Sequence, residues 1–224
     1  MTIGFRIARR TRKVEANVVA KFKTLPLANI SDSMWRMAAG GPRLRPMHGG
    51  GAMAGPALTV KTRPGDNLMV HKAIDMAEPG DVIVVDAAGD LTAAIIGELM
   101  ATHAETRGVA GIIVNGAIRD SAVLRAGRFP VFAAGVTHRG PYKDGPGEIN
   151  VAVALEGMVI EPGDLVLGDD DGVLCVPLDA TEAVYAQARA KFEAEEKQRA
   201  AITAGTVDRG WVDASLTRLG CEII

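Results

Sequence analysis

Cysteine is scarce: the 224 residues hold two, Cys175 and Cys221, with no C-x-x-C pair. So few thiols cannot build a secreted disulfide framework, and they point to a reducing compartment, the cytoplasm. Long apolar runs are missing too. Stretches such as Val82 to Val85 and Gly111 to Val114 fall far short of the roughly 20 residues that cross a bilayer, and no membrane partner is expected. Histidine is rare and dispersed, at His48, His71, His103 and His138, which argues against a histidine-built metal site. Neither the G-x-x-x-x-G-K-S/T phosphate loop nor the H-E-x-x-H zinc helix occurs. Gly49-Gly50-Gly51-Ala52-Met53-Ala54 matches G-x-G-x-x-A in letters alone, because a dinucleotide fingerprint opens a helix whereas Pro56 and a β-rich run follow here. The segment reads as a flexible glycine turn.

What is present is the composition of an ordinary globular protein, 48% hydrophobic and 23% charged with net charge −2, able to bury a sizeable core without a disulfide or metal staple. Its charge is lopsided. Before Thr24, seven basic residues (Arg6, Arg9, Arg10, Arg12, Lys13, Lys21 and Lys23) face only Glu15, and the remainder carries 18 Lys and Arg against 26 Asp and Glu. An acidic main body matches a nucleic-acid backbone poorly, so no nucleic-acid partner is expected. Residues 1–24 read as a basic N-terminal helix with a frayed tip rather than a targeting peptide or nucleic-acid arm.

Apolar spacing and stop signals predict helices at Val14 to Lys23, Asp32 to Ala39, Asp66 to Ala77, Leu91 to Arg107, Asp120 to Ala126 and Ala180 to Ala204. The last carries a capping-box pattern in Asp179 and Glu182, follows Pro177 and ends at Gly205; it dominates a C-terminal helical extension over residues 179–224. Strands are predicted at Ala57 to Arg63, Asp81 to Asp86, Gly111 to Asn115, Pro130 to Ala133, Ile149 to Leu155, Asp164 to Leu167 and Val173 to Val176. Several are continuous β-branched runs, the mark of strands covered on both faces. Glu78-Pro79-Gly80-Asp81 and Glu161-Pro162-Gly163-Asp164 repeat one turn before two such strands, with Pro then Gly at the central positions of a type II turn. The whole reads as one α/β domain spanning residues 1–224, in which Gly135 to Gly147 is a long loop whose His138, Arg139, Tyr142 and Lys143 are placed to rim a pocket.

The stretch from Gly97 to Pro130 carries the chemistry. A helix crossing Gly97-Glu98-Leu99-Met100 precedes the strand Ile112-Ile113-Val114, and the strand runs into Asn115-Gly116-Ala117-Ile118-Arg119-Asp120. Adjacent opposite charges just past an interior strand lie where α/β proteins place ligands. The plainer account is an Arg-Asp surface pair with Asp120 capping the next helix.

With twenty residues between Glu98 and Arg119, the pattern acidic-x20-Arg-Asp resembles the signature of the metal-dependent 4-hydroxy-4-methyl-2-oxoglutarate/4-carboxy-4-hydroxy-2-oxoadipate aldolases, relatives of the regulator of ribonuclease activity A. Asn29-Ile30-Ser31-Asp32-Ser33, Pro79-Gly80-Asp81-Val82, Arg107-Gly108-Val109-Ala110-Gly111, Phe129-Pro130-Val131-Phe132, Pro162-Gly163-Asp164-Leu165 and Asp171-Gly172-Val173 resemble further family blocks in order. Glu98 stands where the family more often has aspartate, and Asn115-Gly116 where it has Asp-Gly. The resemblance implies a layered β/β/α domain with a mixed, swivelling-domain-like sheet and a long C-terminal helix. It also makes Asp120 the direct ligand of a divalent cation, Arg119 the binder of the pyruvyl carboxylate and keto oxygen, and Glu98 the holder of a water on that cation. The backbone N–H groups of Gly97, Glu98, Leu99 and Met100 would face the substrate carboxylate, which requires the helix from Leu91 to break near Gly97. A glutamate from a neighbouring subunit's C-terminal helix completes the family pocket; Glu195 is the choice here, with Glu193 and Glu196 as rivals, in a homotrimer or hexamer.

The chemistry implied is cleavage of a 4-hydroxy-2-oxo diacid through a pyruvate enolate, with oxaloacetate decarboxylation as a parallel activity. A cation and Arg119 would stabilise the charge on the former keto oxygen. One carboxylate ligand with retained waters suits Mg²⁺ or Mn²⁺, or another hard divalent cation, better than zinc. A Schiff-base aldolase would instead need a pocket lysine, for which Lys61 and Lys72 are the candidates. The reading from a different class is a non-catalytic regulator that binds an RNA-degradation enzyme; Asp120 after the arginine favours the enzyme.

Overall fold

The computed structural model describes residues 3–38 and 40–222. In chain order the first elements are β1 (Phe5–Ile7), α1 (Ala16–Phe22), α2 (Leu27–Ser33), β2 (Arg45–Pro46), β3 (Met53–Thr62), α3 (Leu68–Met76), β4 (Val82–Asp86), β5 (Ala94–Ile96) and α4 (Glu98–Thr106). They are followed by β6 (Gly111–Ile118), α5 (Ser121–Ala126), β7 (Val131–Val136), β8 (Gly147–Ile149), β9 (Val153–Leu155), β10 (Met158–Ile160), β11 (Leu165–Asp169), β12 (Gly172–Val176), α6 (Thr181–Thr203) and α7 (Gly210–Arg218). No helix among the described residues is long and apolar enough to cross a membrane.

The main sheet runs β1-β8-β3-β4-β6-β7-β2, with β5 beside β6 and the β11–β12 pair attached to β3. Its centre, β3-β4-β6-β7, is parallel, while β8, β11 and β2 join antiparallel. Period-two alternation sorts the side chains into layers. Ile83 and Val85 of β4 pack with α3 and α4 residues such as Val70, Ile74 and Ala104. Val82 and Val84 point the other way, onto Val153, Leu155, Met158 and Ile160 of β9 and β10. In β11, Val166 joins that second core, whereas Leu165 and Leu167 face Phe22, Ile30, Val184 and Ala188 of α1, α2 and α6. The expected β/β/α arrangement is therefore present, with one more helical layer over the β11–β12 face.

Both Glu-Pro-Gly-Asp turns form as read. Gly80 and Gly163 sit at φ +90° and +93°, and each Asp N–H donates back to the turn's Glu carbonyl, at 3.0 and 3.1 Å. Asp81 and Asp164 also accept the N–H of Glu78 and Glu161, each at 2.9 Å. The strands that follow, β4 and β11, flank β3 on its two sides.

Several local expectations are corrected. The basic N-terminus is largely not helical: helix is confined to Ala16–Phe22, and the preceding residues form β1 and an extended strap. Arg10 makes a two-pronged bond to the buried Asp81 at 2.8 and 2.9 Å, Arg6 pairs with Glu148, Arg12 with Asp179 and Lys13 with Glu78. Four of the seven basic residues before Thr24 thus serve the molecule's own acids. The helix expected at Asp32 to Ala39 lies earlier, at Leu27–Ser33, because the chain enters it from extended Pro26 and leaves through Trp35 and Arg36, both in left-handed conformation; Ala39 lies outside the described residues. Asp179 lies within a 3-10 turn over Leu178–Ala180 and pairs with Arg12, so it forms no capping box, and α6 starts from Ala180 without a side-chain cap. Met53 and Ala54, read as part of a glycine turn, begin β3. The strand expected over Ile149 to Leu155 is split into β8 and β9, and β1, β2, β5, β10 and α7 were not anticipated.

Candidate active site at the ends of β5 and β6

The expected break near Gly97 is real: Leu91 to Ile96 is not helical, Ala94–Ile96 forms β5, and the helix starts at Glu98. β5 runs parallel to the second half of β6. Strand β6 continues through Asn115-Gly116 to Ile118 rather than ending in a turn there, and its register against β7 shifts between Val114 and Ala117. Gly116 permits this irregularity, since a Cβ would meet Ala87 at 3.1 Å and the Asp90 carbonyl oxygen at 3.3 Å. Arg119 and Asp120 thus emerge from the carboxyl end of β6 beside the start of α4. Arg119 N–H donates to the Ile96 carbonyl at 3.0 Å, which locks the two strand ends together.

Asp120 precedes α5 yet does not cap it with its side chain. Its backbone is left-handed, φ 58°, a conformation costly for most L-residues but more accessible to Asp and Asn. The carboxylate crosses to α4, where Oδ2 accepts the Glu98 N–H at 3.0 Å and lies 3.8 Å from Arg119 Nε. This contact requires Gly97: a Cβ there would stand 2.3 Å from Asp120 Oδ2 and 2.9 Å from Arg119 Cγ. A carboxylate, a guanidinium and the first-turn amides of a helix therefore converge within a few ångströms, and those amides have no intrahelical acceptor.

A cavity of about 140 Å³ lies at this junction. Ile96, Gly97, Leu99, Met100, Arg119 and Asp120 form one part of its lining. Asn67 and His71, from the start of α3, form another with Pro141 and Lys143 from the long loop. Leu99 is 78% exposed at the rim. Of the four loop residues expected to rim a pocket, Lys143 does so. The buried Asp66 carboxylate fixes that loop by accepting the N–H groups of Asp144 and Gly145 at 2.7 and 2.9 Å. His71 is held below the usual imidazole range, first by burial and then by the charge of Lys143, with Asp75 opposing.

The structure brings together Gly97, Leu99, Met100, Arg119 and Asp120; Glu98 contributes its N–H and extends an exposed side chain from the same turn. Glu195 does not line this cavity. It lies on α6, where it accepts from Asn29 Nδ2 at 2.7 Å and pairs with Lys191, which also holds Asp32. Asn29 first and Lys191 second keep the Glu195 carboxyl below its ordinary range. Glu193 pairs with Arg189, and Glu196 with Arg199. Lys61 and Lys72, the Schiff-base candidates, do not line the cavity either. Asn67 and His71 were missed, although Pro64-Gly65 followed by Asp66-Asn67 marks a turn into a helix start, a place where polar side chains gather.

Among the described residues no three His, Cys, Asp or Glu side chains cluster as a ready metal cage. The donors at the cavity, a carboxylate with one oxygen engaged and a nearby exposed glutamate, fit a hard cation that keeps most of its waters.

Residues 27–175 match the family described as RraA-like, Aldolase/RraA. This chain belongs to that family. A protein of Halalkalibacterium halodurans named "putative 4-hydroxy-4-methyl-2-oxoglutarate aldolase" is 40% identical over 191 residues, 85% of this chain and 91% of that protein. Among solved structures, an uncharacterized protein from Pseudomonas syringae pv. tomato superposes with TM-score 0.78 at 26% identity, covering 86% of this chain and 95% of that one. The RNA-processing inhibitor RraA from Thermus thermophilis superposes with TM-score 0.62 at 31% identity, covering 68% and 92%.

Proposed function

We propose that the protein is a divalent-metal-dependent pyruvate aldolase acting on a 4-hydroxy-2-oxo diacid such as 4-hydroxy-4-methyl-2-oxoglutarate. One observation carries this reading: the Asp120 carboxylate is turned away from its own helix and into the cavity, beside Arg119 and the first turn of α4. The name of the Halalkalibacterium halodurans relative supports it.

Arg119 would take the substrate's keto oxygen and, together with the N–H groups at Gly97, Leu99 and Met100, its carboxylate. When the bond between C3 and C4 breaks, its electron pair passes into the pyruvyl half as an enolate, and the guanidinium stabilises the charge that gathers on the former keto oxygen. The hydroxyl-bearing carbon becomes a carbonyl as the hydroxyl proton leaves to a water that Glu98 would hold. Asp120 would hold Mg²⁺ or Mn²⁺, and such an ion supplies further charge stabilisation at the same oxygen. Oxaloacetate decarboxylation uses the same enolate with carbon dioxide leaving instead. We assign the assembly as a homotrimer or hexamer in which Glu195 of one copy reaches another copy's cavity.

The test is pyruvate release from several 4-hydroxy-2-oxo diacids. Activity is expected to vanish with EDTA and return with Mg²⁺ or Mn²⁺; full turnover in a rigorously metal-free sample overturns the metal-dependent reading. The likeness to the RNA-processing inhibitor from Thermus thermophilis favours a second reading, a non-catalytic regulator that binds an RNA-degradation enzyme. Absence of turnover together with capture of such an enzyme would establish that reading instead.

A further inference from the structure

Asn67 is 3% exposed and lines the cavity. Its Nδ2 donates to the Ile95 carbonyl at 2.9 Å and lies 3.2 Å from Met100 Sδ. Both neighbours can only accept, so the amide has one sensible orientation. That leaves Oδ1 buried with no partner, and a native fold rarely leaves a buried acceptor unpaired unless a water, ion or ligand group completes it. The cavity also contains Lys143, which makes no ion pair among the described residues. The backbone around Lys143 is fixed: Asp66 accepts the next two N–H groups, and Tyr142 exchanges backbone bonds with Gly65 and Asn67. An orphan acceptor and an unpaired cation thus stand on rigid supports in the same cavity as Arg119 and Asp120, where the pyruvyl half would bind.

We propose that Asn67 and Lys143 form the subsite for the half of the substrate that departs, Asn67 Oδ1 accepting a hydrogen bond from the substrate hydroxyl and Lys143 binding a distal carboxylate. The proposal deepens the aldolase reading and rests on it for the identity of the departing half. Neither residue forms or breaks a covalent bond; both select a hydroxylated diacid over a monoacid. Asp66 is the positioning residue that keeps Lys143 aimed.

The decisive measurement is calorimetric binding to the Mg²⁺-loaded protein, which needs no turnover. Wild type should bind 2-oxoglutarate at least about tenfold more tightly than 2-oxopentanoate, which has the same carbon count without the second carboxylate. Lys143→Gln should erase that preference while leaving the 2-oxopentanoate Kd within about twofold. A preference that survives in Lys143→Gln, or that is missing from wild type, overturns the carboxylate assignment. For the hydroxyl, Asn67→Ser removes the orphan acceptor and keeps a good residue at the start of α3. It should lower kcat/KM for the 4-hydroxy diacid at least about tenfold more than for oxaloacetate, which carries no hydroxyl; equal losses on both substrates overturn the hydroxyl assignment. If wild type cleaves no hydroxy diacid, the aldolase reading fails, and the calorimetric comparison still decides the carboxylate subsite.

Discussion

A single backbone torsion decides which helix the carboxylate at position 120 serves. At φ 58° the Asp120 side chain leaves the α5 amide that an N-cap would satisfy and reaches α4 instead. Replacing it with Ala should abolish turnover while changing the denaturation midpoint little, because a half-exposed turn carboxylate contributes little to the core; an unfolded variant would contradict this. Arg119→Lys should lose most pyruvate affinity as well as turnover, since a lysine cannot present two parallel donors to a planar carboxylate. Near-normal kinetics would return Arg119 to the status of a surface ion-pair partner. Gly97→Ala is the steric counterpart. Its methyl falls on Asp120 Oδ2 and Arg119 Cγ, so kcat should drop by an order of magnitude or more, and a neutral result would show that the site can rearrange. Arg119, Asp120 and the Gly97 turn were legible as adjacent letters after a buried strand. Asn67 and His71 were not, because the contacts that bring α3 to the site are distant in sequence, Asn67 bonding to Ile95 and Tyr142, and no local pattern encodes them.

At the scale of elements, the turns were read better than the helix ends. Pro followed by Gly states a backbone conformation outright, and Gly80 and Gly163 adopt it. The Asp179 and Glu182 letters state only a possibility, lost because Asp179 sits inside the 3-10 turn ahead of α6, where it pairs with Arg12 from 167 residues away. The helix expected from Leu91 failed for a related reason. Ala94, Ile95 and Ile96 carry no helix-specific signal, and pairing with β6 decides their fate. The Asp81 carboxylate, fully buried and paired with Arg10, joins the first turn to the N-terminal strap, and Asp81→Ala should destabilise the fold by about 3–5 kcal/mol, measurable by chemical denaturation. The seam between α2 and α6 has a pH signature. Asn29 and Lys191 hold the Glu195 carboxyl below its ordinary range, and Lys191 and Arg36 do the same for Asp32. Groups depressed in this way contribute stability above their unfolded pKa and lose it as pH falls through the folded value. The gap in denaturation midpoint between wild type and Glu195→Gln should therefore be open at neutral pH and close below about pH 4. A gap independent of pH would mean that Glu195 acts through packing alone.

Across the described residues the molecule is four layers held by non-local pairing, and its N-terminal strap meets the approach to α6 through Arg12 and Asp179. If the assembly is shared as we assign, mixing Asp120→Ala with Glu195→Ala after subunit dissociation should restore partial activity, because some mixed pockets contain both wild-type groups. No recovery despite confirmed exchange would leave Glu195 as an ordinary helix-surface glutamate. The strap before α1 carries a further consequence, which concerns time rather than geometry. Its partners lie far along the chain: Arg10 waits for Asp81, Arg6 for Glu148, and Arg12 for Asp179. During synthesis the strap therefore leaves the ribosome well before it can be secured, since those acids and the strands that present them must exist before the loops between them can close.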